Sequence, residues 1–431
     1  MRLEIGTFPV TDVRPASRTA WTDGLLEINV EELTAAVLAD TRVATCSIEL
    51  ASPGESVRIW PVRDVIEPRV KVEGPGVTYP GICGRPVTTV GQGTTHRLSG
   101  VCVAEVSETP WHEAGHDHLM VYTDMSGPWA ELSPYGSLHN VCVVVEPDQA
   151  LHVDARNRTV HQAALTVSDM LAETTRGLEP PLRDVHELTP PAAGGLKKVV
   201  YIPGIHSSEA TSGSPNTFCT SIYGVTQLTP PWALHPNEML DGAVSGPYRT
   251  AFATSWTLVN NPVLHEMYRG HGTDFDFVAC IVLRTEWTTQ AGKDLVAQET
   301  AKLAKLLGAE GAIVTWDAGG NEFMEVIRTV QECEKLGIKT VFLTSEDVAA
   351  AGVSTMLEPV PEADAMVSTG FIRPTEALGV TELPAVERVI GSPEKLEGRL
   401  HDTPVPTAGP LPPPPRYDDH YGFNRLTCID Y

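Results

Sequence analysis

A regular alternation of apolar strands and amphipathic helices occupies residues 197–368. Its clearest strand is the continuous apolar run Phe275–Leu283 (FDFVACIVL), which is typical of a strand covered on both faces. The segment Thr289–Leu307 follows with apolar residues at helical spacing, and Gly308 ends it. Because such strand–helix–strand units join parallel strands through right-handed crossovers, the pattern predicts a Rossmann-like α/β domain with a parallel sheet. It also predicts strands at Lys197–Ile202, Gly311–Trp316, Ile338–Thr344 and Ala363–Ser368, and a second helix at Asn321–Leu336.

The part of the chain before this alternation is β-rich. Short runs of β-branched residues, separated by Gly and Pro clusters, predict strands, whereas Glu31–Ala39 and His161–Thr174 are typical of helices. A Pro/Gly-rich linker, Glu179–Gly195, separates the two patterns. We therefore predict an α/β and α+β fold with a β-rich N-terminal domain at 1–190, the α/β domain at 191–382 and a Pro-rich tail at 383–431 that docks on this chain or on a partner. The predicted N-terminal strands are Val43–Ile48, Ser56–Val62, Ser99–Val106, Leu119–Tyr122 and Val141–Glu146.

The chain is strongly acidic, with 31 Lys and Arg against 55 Asp and Glu and a net charge of -24. Binding to nucleic-acid phosphates or to an anionic membrane requires clustered basic residues, so neither partner is expected. No apolar run approaches the roughly 18 residues that a membrane helix needs, and the N-terminus lacks the apolar core of a secretory signal. The eight Cys are scattered without a CxxC pair, which favours reduced thiols. Together these features predict a cytoplasmic protein.

Parallel sheets bind ligands beyond the carboxyl ends of their strands. Glu286 follows one predicted strand, and the turn Gly319–Gly320–Asn321 follows the next and opens a helix. The free N–H groups of this turn could receive a carboxylate, so we predict substrate binding by Glu286, Gly319, Gly320 and Asn321. The alternative is a flexible turn in which Asn321 caps the helix. Neither GxGxxG nor GxxxxGK[ST] occurs, so no motif supports nucleotide binding.

The polar loop Ile205–Cys219 follows the first strand of the α/β domain, a location that suits an active-site loop. Its residue His206 could act as an acid or base near neutral pH. Cys219 is the one cysteine in a polar, Ser/Thr-rich setting, which suits a reactive thiol better than a strand does. We treat His206, Glu209 and Cys219 as candidate catalytic residues, against the alternative that they are ordinary loop residues.

The segment His112–His116 reads HEAGH and matches the zinc-protease pattern HExxH literally. That pattern works when one helix places both histidines on a metal ion, with the Glu as base. Here the segment contains a Gly, lies between strand-like runs and shows no long helix, so a solvated loop is the simpler interpretation. The alternative is a metal ion held by His112, Glu113, His116 and His118, and with it a metal-dependent hydrolase.

Several stretches of the sequence together resemble one family. The longest is Pro53–Gly76 (PGESVRIWPVRDVIEPRVKVEGPG), and the N-terminal MRLEIGTFPVTDV belongs to the same set. In order along nearly the whole chain, these stretches resemble the alpha/beta proprotein of component B of glycine, sarcosine or betaine reductase, and more distantly that of D-proline reductase. The other stretches are DMSGP (Asp124–Pro128), VVVEP (Val143–Pro147), EMLDGAVSG (Glu238–Gly246), NNPV (Asn260–Val263), AKLAKLLGAEGAIVT and KLGIKTVFLTSE.

The resemblance implies a specific chemistry. A proprotein of this family cuts itself before a Cys, and the new N-terminal residue becomes a pyruvoyl group that captures a substrate amine as an imine. A partner chain with a selenocysteine or cysteine then attacks the α-carbon and releases the amine. The resemblance thus implies an obligate hetero-oligomer with a thiol- or selenol-bearing reductase-type subunit, acting on a small amine or amino-acid-like substrate.

This sequence departs from the family in the cleavage region. It has no Cys between Ser245 and Asn260, and Pro247–Tyr248 stands near the family's cleaved pair. Ser245 and Ser255 are chemically able to undergo the acyl shift and elimination, but neither aligns with the family Cys. We therefore do not expect a pyruvoyl group, and we take Ser255 as a further candidate catalytic residue.

Two classes of function remain open. One is a reductase subunit without a pyruvoyl group, which binds a small substrate and works with the second chain. The other is a non-catalytic scaffold that keeps the fold and the partner interface while the chemistry lies in the other chain. The predicted functional surface combines the loop Ile205–Cys219, the segment Ser245–Ser255, Glu286 and the turn Gly319–Asn321.

Overall fold

The computed structural model of the chain describes most of both predicted parts. The described residues are 1–109, 121–191, 194–206, 221–224, 231–246, 253–285, 289–316, 323–346, 360–371, 382–391, 409–410, 421, 423 and 427–429.

The N-terminal part is built from sheets with a long helix packed against them. Two of these sheets have the strand orders β12-β1-β8-β7 and β10-β6-β9-β11-β5, and β2, β4 and β3 form a small third sheet. The elements are β1 (Arg2–Pro9), β2 (Asp12–Pro15), β3 (Ala20–Thr22), β4 (Leu25–Ile28), α1 (Val30–Leu38), β5 (Val43–Ala51), β6 (Val57–Ile66), β7 (Arg69–Glu73), β8 (Gly93–Ser99), β9 (Val101–Val106), β10 (Val121–Asp124), β11 (His139–Pro147), α2 (Val153–Glu173) and β12 (Leu182–Glu187), with short 3-10 helices at Ala130–Leu132 and Pro134–Ser137.

The core of this part lies between α2 and the sheets. Val160 and Leu171 of α2 are fully buried with Val103 of β9 and Val141 of β11 in one apolar cluster. Each fully buried side chain of this size contributes roughly 1.5–3 kcal/mol of transfer free energy. Successive side chains of β9 and β11 point to opposite faces, so Val103 and Val141 join this cluster with α2, whereas Cys102 and Cys142 lie in a second apolar cluster.

The second part contains the predicted parallel sheet. Its strand order is β15-β17-β13-β18-β19-β20-β24, in which the inner five strands are parallel and both edge strands are antiparallel. The elements are β13 (Lys198–His206), β14 (Ser221–Ile222), β15 (Trp232–Leu234), α3 (Pro236–Leu240), β16 (Val244–Ser245), α4 (Ser255–Val259), α5 (Pro262–Gly270), β17 (Asp276–Thr285), α6 (Gln290–Leu306), β18 (Gly311–Trp316), α7 (Phe323–Lys335), β19 (Lys339–Glu346), β20 (Ala365–Phe371), β21 (Glu382–Leu383), β22 (Arg388–Ile390), β23 (Gly409–Pro410) and β24 (Thr427–Ile429). The predicted α/β and α+β fold class is confirmed.

The two faces of the parallel sheet are covered differently. On one face, α6 and α7 bury residues such as Val296 and Val330 against Val314 of β18. On the other face, residues of α3, α4 and α5 pack against β13 and β17 in a cluster that also includes Leu3 and Ile5 of β1. The segment from α3 to α5 therefore lies between the parallel sheet and the N-terminal sheet that contains β1.

The end of the chain contacts earlier elements at several points. β22 pairs with β6 in parallel, and β24 pairs with β20 in antiparallel. Tyr421 is buried in the cluster that contains Leu3, and the ring of Phe423 lies 5.5 Å from that of Trp256. The predicted division into domains at about residues 190 and 382 stays a prediction.

Two elements are longer than predicted, and both extensions contain buried polar residues. The helix α2 begins at Val153 rather than at His161, and its first turns bury Asn157. The strand β6 continues past Val62 to Ile66 and so includes Arg63 and Asp64, which are both fully buried. Apolar periodicity missed these extensions because the polar side chains are paired with one another inside the fold.

Candidate functional site

The segment Asp241–Pro262, which contains the family-like cleavage region, links the N-terminal sheets to the parallel sheet. It includes β16 and α4 and ends at the start of α5, while residues 247–252 lie outside the described part. Its geometry is set by hydrogen bonds at its start, its middle and its end.

The start of the segment is fixed by Asp241, which is buried. Its carboxylate accepts hydrogen bonds from Gly91 N–H at 2.7 Å and from Thr95 Oγ1 at 2.5 Å, and it forms an ion pair with Lys71. Gly242 follows with a φ of +85°, and a Cβ there would lie 3.2 Å from Tyr79. The Asp-Gly pair of EMLDGAVSG therefore attaches the segment to β7 and β8.

The end of the segment is fixed by two asparagines that point to different halves of the molecule. Asn260 donates to Glu67 Oε1 at 3.2 Å and accepts from Arg97 Nη1 at 3.0 Å, on the N-terminal side. Asn261 donates to the Tyr201 hydroxyl on β13 at 2.9 Å, and its Oδ1 accepts from the first N–H groups of α5. The NNPV motif thus both caps α5 and joins the two sheets.

In the middle of the segment, Ser255 contacts a buried carboxyl group. Its N–H donates to Asp64 Oδ1 at 2.9 Å and its Oγ donates to Asp64 Oδ2 at 2.7 Å. Both residues are at most 1% exposed. The family-like stretch Pro53–Gly76 therefore supplies, through β6, the partner of the candidate catalytic serine.

A β-bulge places Asp64 in a cluster of charged residues. The pairing of β6 with β9 shifts by one residue between Val62 and Asp64, so that Asp64 lies directly opposite Glu105. Such a bulge redirects side chains, and here it lets both Arg63 and Asp64 approach the same neighbours. Arg63 Nε donates to Glu105 Oε1 at 3.1 Å, while His161 Nδ1 lies 2.7 Å from Glu105 Oε2 and 3.9 Å from Asp64 Oδ2.

The electrostatics of this cluster favour a proton on Asp64. Burial, followed by the charge of Glu105, raises the pKa of Asp64 well above its ordinary value, although the hydrogen bonds from Ser255 oppose the shift. Glu105 forms an ion pair with Arg63, whereas Asp64 accepts hydrogen bonds from the N–H and the hydroxyl of Ser255. The arrangement can therefore hold or take up a proton next to the hydroxyl of Ser255.

The predicted strand-end residues are positioned by the order of the parallel sheet. Strands β17, β13 and β18 are adjacent and parallel, so the residues that follow them leave the sheet at one edge. If the five parallel strands are numbered as they occur along the chain, their order across the sheet is 2-1-3-4-5. The strand order reverses between β13 and β18, and sheets of this kind bind ligands at such a switch point. The sheet thus brings together the carboxyl ends of β17, β13 and β18, which in the sequence precede Glu286, the loop Ile205–Cys219 and the turn Gly319–Asn321.

A short ladder connects two further pieces of the predicted surface. Ser221 of β14 pairs with Ser245 of β16, and their Oγ atoms are 3.5 Å apart. In the sequence, β14 follows residues 207–220 and β16 comes shortly before residues 247–252, so the ladder pairs the described residues next to these two stretches.

Backbone strain is concentrated beside the same ladder. Tyr79, Cys83 and Tyr223 have φ values of +49°, +48° and +54°, an unusual conformation for residues other than glycine. A Cβ on Gly81 would lie 1.9 Å from the carbonyl oxygen of Tyr223, so the two backbones are in direct contact. Strain of this kind is often found at functional sites, because the surrounding structure must hold it in place.

Among the predicted site residues, Ser255 is described in full. The backbone of His206 ends β13, and its side chain lies outside the described part. In the described ranges no group of His, Cys, Asp and Glu could hold a metal ion. The remaining predicted residues lie outside the described part: Glu209, Cys219, Glu286, Gly319, Gly320, Asn321, His112, Glu113, His116 and His118.

Sequence reasoning missed Asp64, Glu105, His161 and Asp241. A signal was present for the first, because Arg63 and Asp64 interrupt an otherwise apolar run inside a family-like motif. Charged residues are almost never fully buried unless they are paired, so such an interruption indicates a buried network. Which residues complete that network depends on pairing across the sheet, which one sequence does not reveal.

Ser245 and Ser255 do not fit the pyruvoyl group that the family resemblance implies. A pyruvoyl group at position 255 would replace both the N–H and the Oγ that bind Asp64. At position 245 it would break the ladder with Ser221.

Comparison with known proteins gives a consistent result. The sequence model of the glycine/sarcosine/betaine reductase component B subunits matches residues 1–400. Over 403 residues the chain is 32% identical to the sarcosine reductase complex component B subunit alpha of Peptoclostridium acidaminophilum, covering 92% of this chain and 91% of that protein.

Two further relatives match over a similar length and with similar identity. The glycine reductase complex component B subunits alpha and beta of Acetoanaerobium sticklandii are 33% identical over 400 residues, covering 92% of this chain and 90% of that protein. The betaine reductase complex component B subunit alpha of Peptoclostridium acidaminophilum is 30% identical over 407 residues, covering 92% and 89%. No solved structure matches the chain. None of the described helices is both long enough and apolar enough to cross a bilayer.

Proposed function

This chain belongs to the glycine/sarcosine/betaine reductase component B family, and from that premise we propose that it is a subunit of a reductase complex that cleaves a small amine or amino-acid-like substrate. A second subunit of the complex supplies a thiol or selenol. This chain binds and orients the substrate, without a pyruvoyl group.

The observation that carries the proposal is the attachment of the segment Asp241–Pro262 to both halves of the molecule. Asp241 and Asn260 bind residues of the N-terminal sheets, and Asn261 binds Tyr201 of the parallel sheet. A segment that is bonded to both halves of the molecule suits a site built from residues of both halves, because it keeps their relative positions fixed. The residues that make these hydrogen bonds belong to the family-like motifs EMLDGAVSG and NNPV.

The substrate site is proposed at the carboxyl edge of β17, β13 and β18. In the sequence, the loop Ile205–Cys219 begins at the end of β13, Glu286 follows β17, and the turn Gly319–Asn321 comes after β18. Free N–H groups at the turn would receive a substrate carboxylate. His206, Glu209 and Cys219 remain candidates for proton transfer or contact with the partner.

The proposed reaction is a substitution at carbon. The partner's thiolate or selenolate forms a bond to the α-carbon as the carbon–nitrogen bond breaks, and the leaving amine carries the electron pair and takes up a proton. The carbon remains attached to the partner's sulfur or selenium, so this step needs no external reductant. Binding energy from the substrate's non-reacting groups would serve to align the two reacting atoms.

Whether this chain binds substrate without its partner distinguishes the proposed function from the alternative of a non-catalytic scaffold. Calorimetry with glycine, sarcosine and betaine as probes would compare the purified chain with the chain and its co-purified partner. The proposal expects one of these probes to bind the chain alone. Binding that requires the partner and is unchanged when Glu286 is replaced by Gln would favour a scaffold.

An intact mass spectrum tests the absence of self-processing. The proposal expects a single chain of 46.5 kDa that does not change mass with a carbonyl reagent. Two fragments that split between Ser245 and Thr257, one of them reactive, would restore the pyruvoyl mechanism and identify the residue that forms the group.

A further inference from the structure

The strand β12 forms an exposed edge of an N-terminal sheet. Among the described strands it pairs with β1 alone, in antiparallel register, so the backbone N–H and C=O groups on its other side point away from the sheet. Pro180 and Pro181 precede the strand and Pro190 follows it, and proline cannot donate to a ladder of hydrogen bonds. The open part of this edge is therefore the short stretch 182–189.

This edge carries both apolar and charged side chains. Leu182 is 56% exposed and Val185 is 51% exposed, and an exposed edge with apolar side chains is a template for pairing with another strand. Charged side chains usually protect such an edge, and β12 also contains Arg183, Asp184 and Glu187. The order of these charges along the strand therefore decides which strand can pair with it.

The geometry of an antiparallel ladder limits how β12 can pair with β12 of a second copy. Successive residues direct their N–H and C=O groups to opposite sides of the strand, so only residues from the same alternate set can face each other. A two-fold axis must then pass through one residue, which faces itself. An axis through Arg183, Asp184 or Glu187 would place like charges face to face. An axis through His186 would place Asp184 opposite Leu188.

An axis through Val185 makes the stretch complementary to itself. The two copies of Val185 then face each other. Each acidic residue faces a basic or hydrogen-bonding residue, and each apolar residue faces an apolar one. The opposed pairs are Arg183 with Glu187, Asp184 with His186, and Leu182 with Leu188. Because the axis repeats each pair, one favourable pair of charges counts twice in the dimer.

The contacts within the chain leave room for these new pairs. Glu187 lies opposite Arg2 in the register of β1 with β12. Arg183 forms ion pairs with Glu4 at 2.5 Å and with Glu179, and its side chain is still 45% exposed. In the dimer, Glu187 would have Arg2 on one side and Arg183 of the second copy on the other. Opposite charges would therefore alternate across the joined strands.

We propose that a second copy of this chain binds along β12, antiparallel to it and with the two-fold axis at Val185. The contact joins the two four-stranded sheets edge to edge into one continuous sheet. The complementarity of β12 to itself is the observation that selects a second copy as the occupant. The proposal concerns assembly and does not depend on the proposed function.

Charge reversal in the purified full chain tests the pairing of Arg183 with Glu187. Sedimentation velocity and native mass spectrometry should show a species of twice 46.5 kDa for the natural chain. Arg183→Glu and Glu187→Arg should each raise the dissociation constant of the dimer at least about tenfold, because like charges then face each other twice. An equimolar mixture of the two variants should form a mixed dimer, which nitrogen-15 labelling of one variant identifies by mass.

Two further variants separate this pairing from effects within one chain. The double variant Arg183→Glu with Glu187→Arg loses the ion pair with Glu4 but should dimerise with itself. The matched control is Arg176→Glu, which reverses an arginine of similar exposure, 48%, that is paired with Glu173 at the end of α2. It should dimerise like the natural chain.

A cysteine on the axis tests the register in the complex as it is purified. In Val185→Cys the two thiols face each other, since directly opposed residues of an antiparallel pair have Cβ atoms about 4.5–5.5 Å apart. Mild oxidation should therefore link two copies of the chain on a non-reducing gel. Val87→Cys, at an exposed valine elsewhere in the N-terminal half, should not give this product.

Each possible result supports or overturns the proposal. A natural chain that stays monomeric at tens of micromolar, a mixture of reversed variants that stays apart, or a Val185→Cys chain that does not cross-link would overturn it. If the natural chain is monomeric and Arg183→Glu no longer retains its partner subunit, the edge belongs to that subunit instead. A complex that releases no amine would contradict the proposed function and leave the dimer unaffected.

Discussion

The ion pair between Asp241 and Lys71 attaches the segment Asp241–Pro262 to β7, and its contribution to the free energy of unfolding can be measured separately. The side chain of Asp241 is 0% exposed and that of Lys71 is 5% exposed. We consider the variant Asp241→Asn, which keeps the volume of the side chain and removes its charge. It leaves the ammonium of Lys71 without its counter-ion, and the amide can no longer accept at both oxygen positions from Gly91 and Thr95.

The expected loss is about 3–5 kcal/mol in the free energy of unfolding. Coulomb's law at an effective dielectric constant of about 20 gives about 4 kcal/mol for two charges about 4 Å apart. Removing one partner of a buried pair has a similar typical cost, roughly 3–5 kcal/mol, because the other charge is left buried. The double variant Asp241→Asn with Lys71→Met should lose less than the sum of the single variants, by at least about 2 kcal/mol, since neither partner is then left charged.

The assay is equilibrium denaturation in urea at pH 7, followed by tryptophan fluorescence. The matched control is Glu173→Gln, which removes a carboxylate from an exposed pair with Arg176 whose side chains are 49% and 48% exposed. A surface pair of this kind contributes about 0–1 kcal/mol. If Asp241→Asn costs no more than Glu173→Gln, or if the double variant loses the full sum, the argument that Asp241 anchors the segment through its charge is wrong.

Three further predictions address other contacts of the fold. Gly81→Ala should lower the free energy of unfolding by at least about 2 kcal/mol more than Gly84→Ala. Both glycines have a φ of +80°, but a Cβ would strike the Tyr223 carbonyl oxygen at position 81 and would meet nothing within 4 Å at position 84. Equal melting temperatures of the two variants would contradict this prediction. Burial, together with the nearby His186, lowers the pKa of His265 from 6.5 to about 4. Below pH 6.5 the unfolded chain therefore takes up a proton at this residue while the folded protein keeps it neutral, so the free energy of unfolding should fall by up to about 3 kcal/mol between pH 6.5 and pH 4. The fall should be smaller in His265→Gln. Burial raises the pKa of Cys46 to about 11, so iodoacetamide at pH 7.5 should label this thiol slowly in the native protein and rapidly after unfolding, and rapid native labelling would refute the described burial.

The regular part of the fold could be predicted from the sequence because its signals are local. Gly311–Trp316 was predicted as a strand with the bounds that the structure shows, and α6 begins after the cap Thr289 where the helical spacing begins. The edge strands β15 and β24 were not predicted, since short antiparallel strands owe their form to the neighbour with which they pair. Pairing partners of this kind are not encoded in a local pattern.

The strand order of the parallel sheet follows a pattern that the sequence shows, whereas the charged cluster beside Ser255 does not. The strand alternation predicts the parallel sheet, and the resemblance marks the cleavage region between Ser245 and Asn260. Asp64 and Glu105 are distant in sequence and meet because of a bulge in β6, which periodicity does not show. The sequence predicts a helix that begins at His161, whereas His161 lies inside α2 with its Nδ1 2.7 Å from Glu105 Oε2.

The most direct test of the account is amine release by the purified complex. The tagged chain would be isolated with its partner and supplied with substrate labelled with nitrogen-15, and the released amine and the partner's mass would be measured together. The account predicts that amine is released, that the partner gains the mass of the carbon fragment, and that alkylation of the partner's thiol or selenol abolishes both. Release of amine by this chain without a partner, or release without any mass gain on the partner, would contradict it.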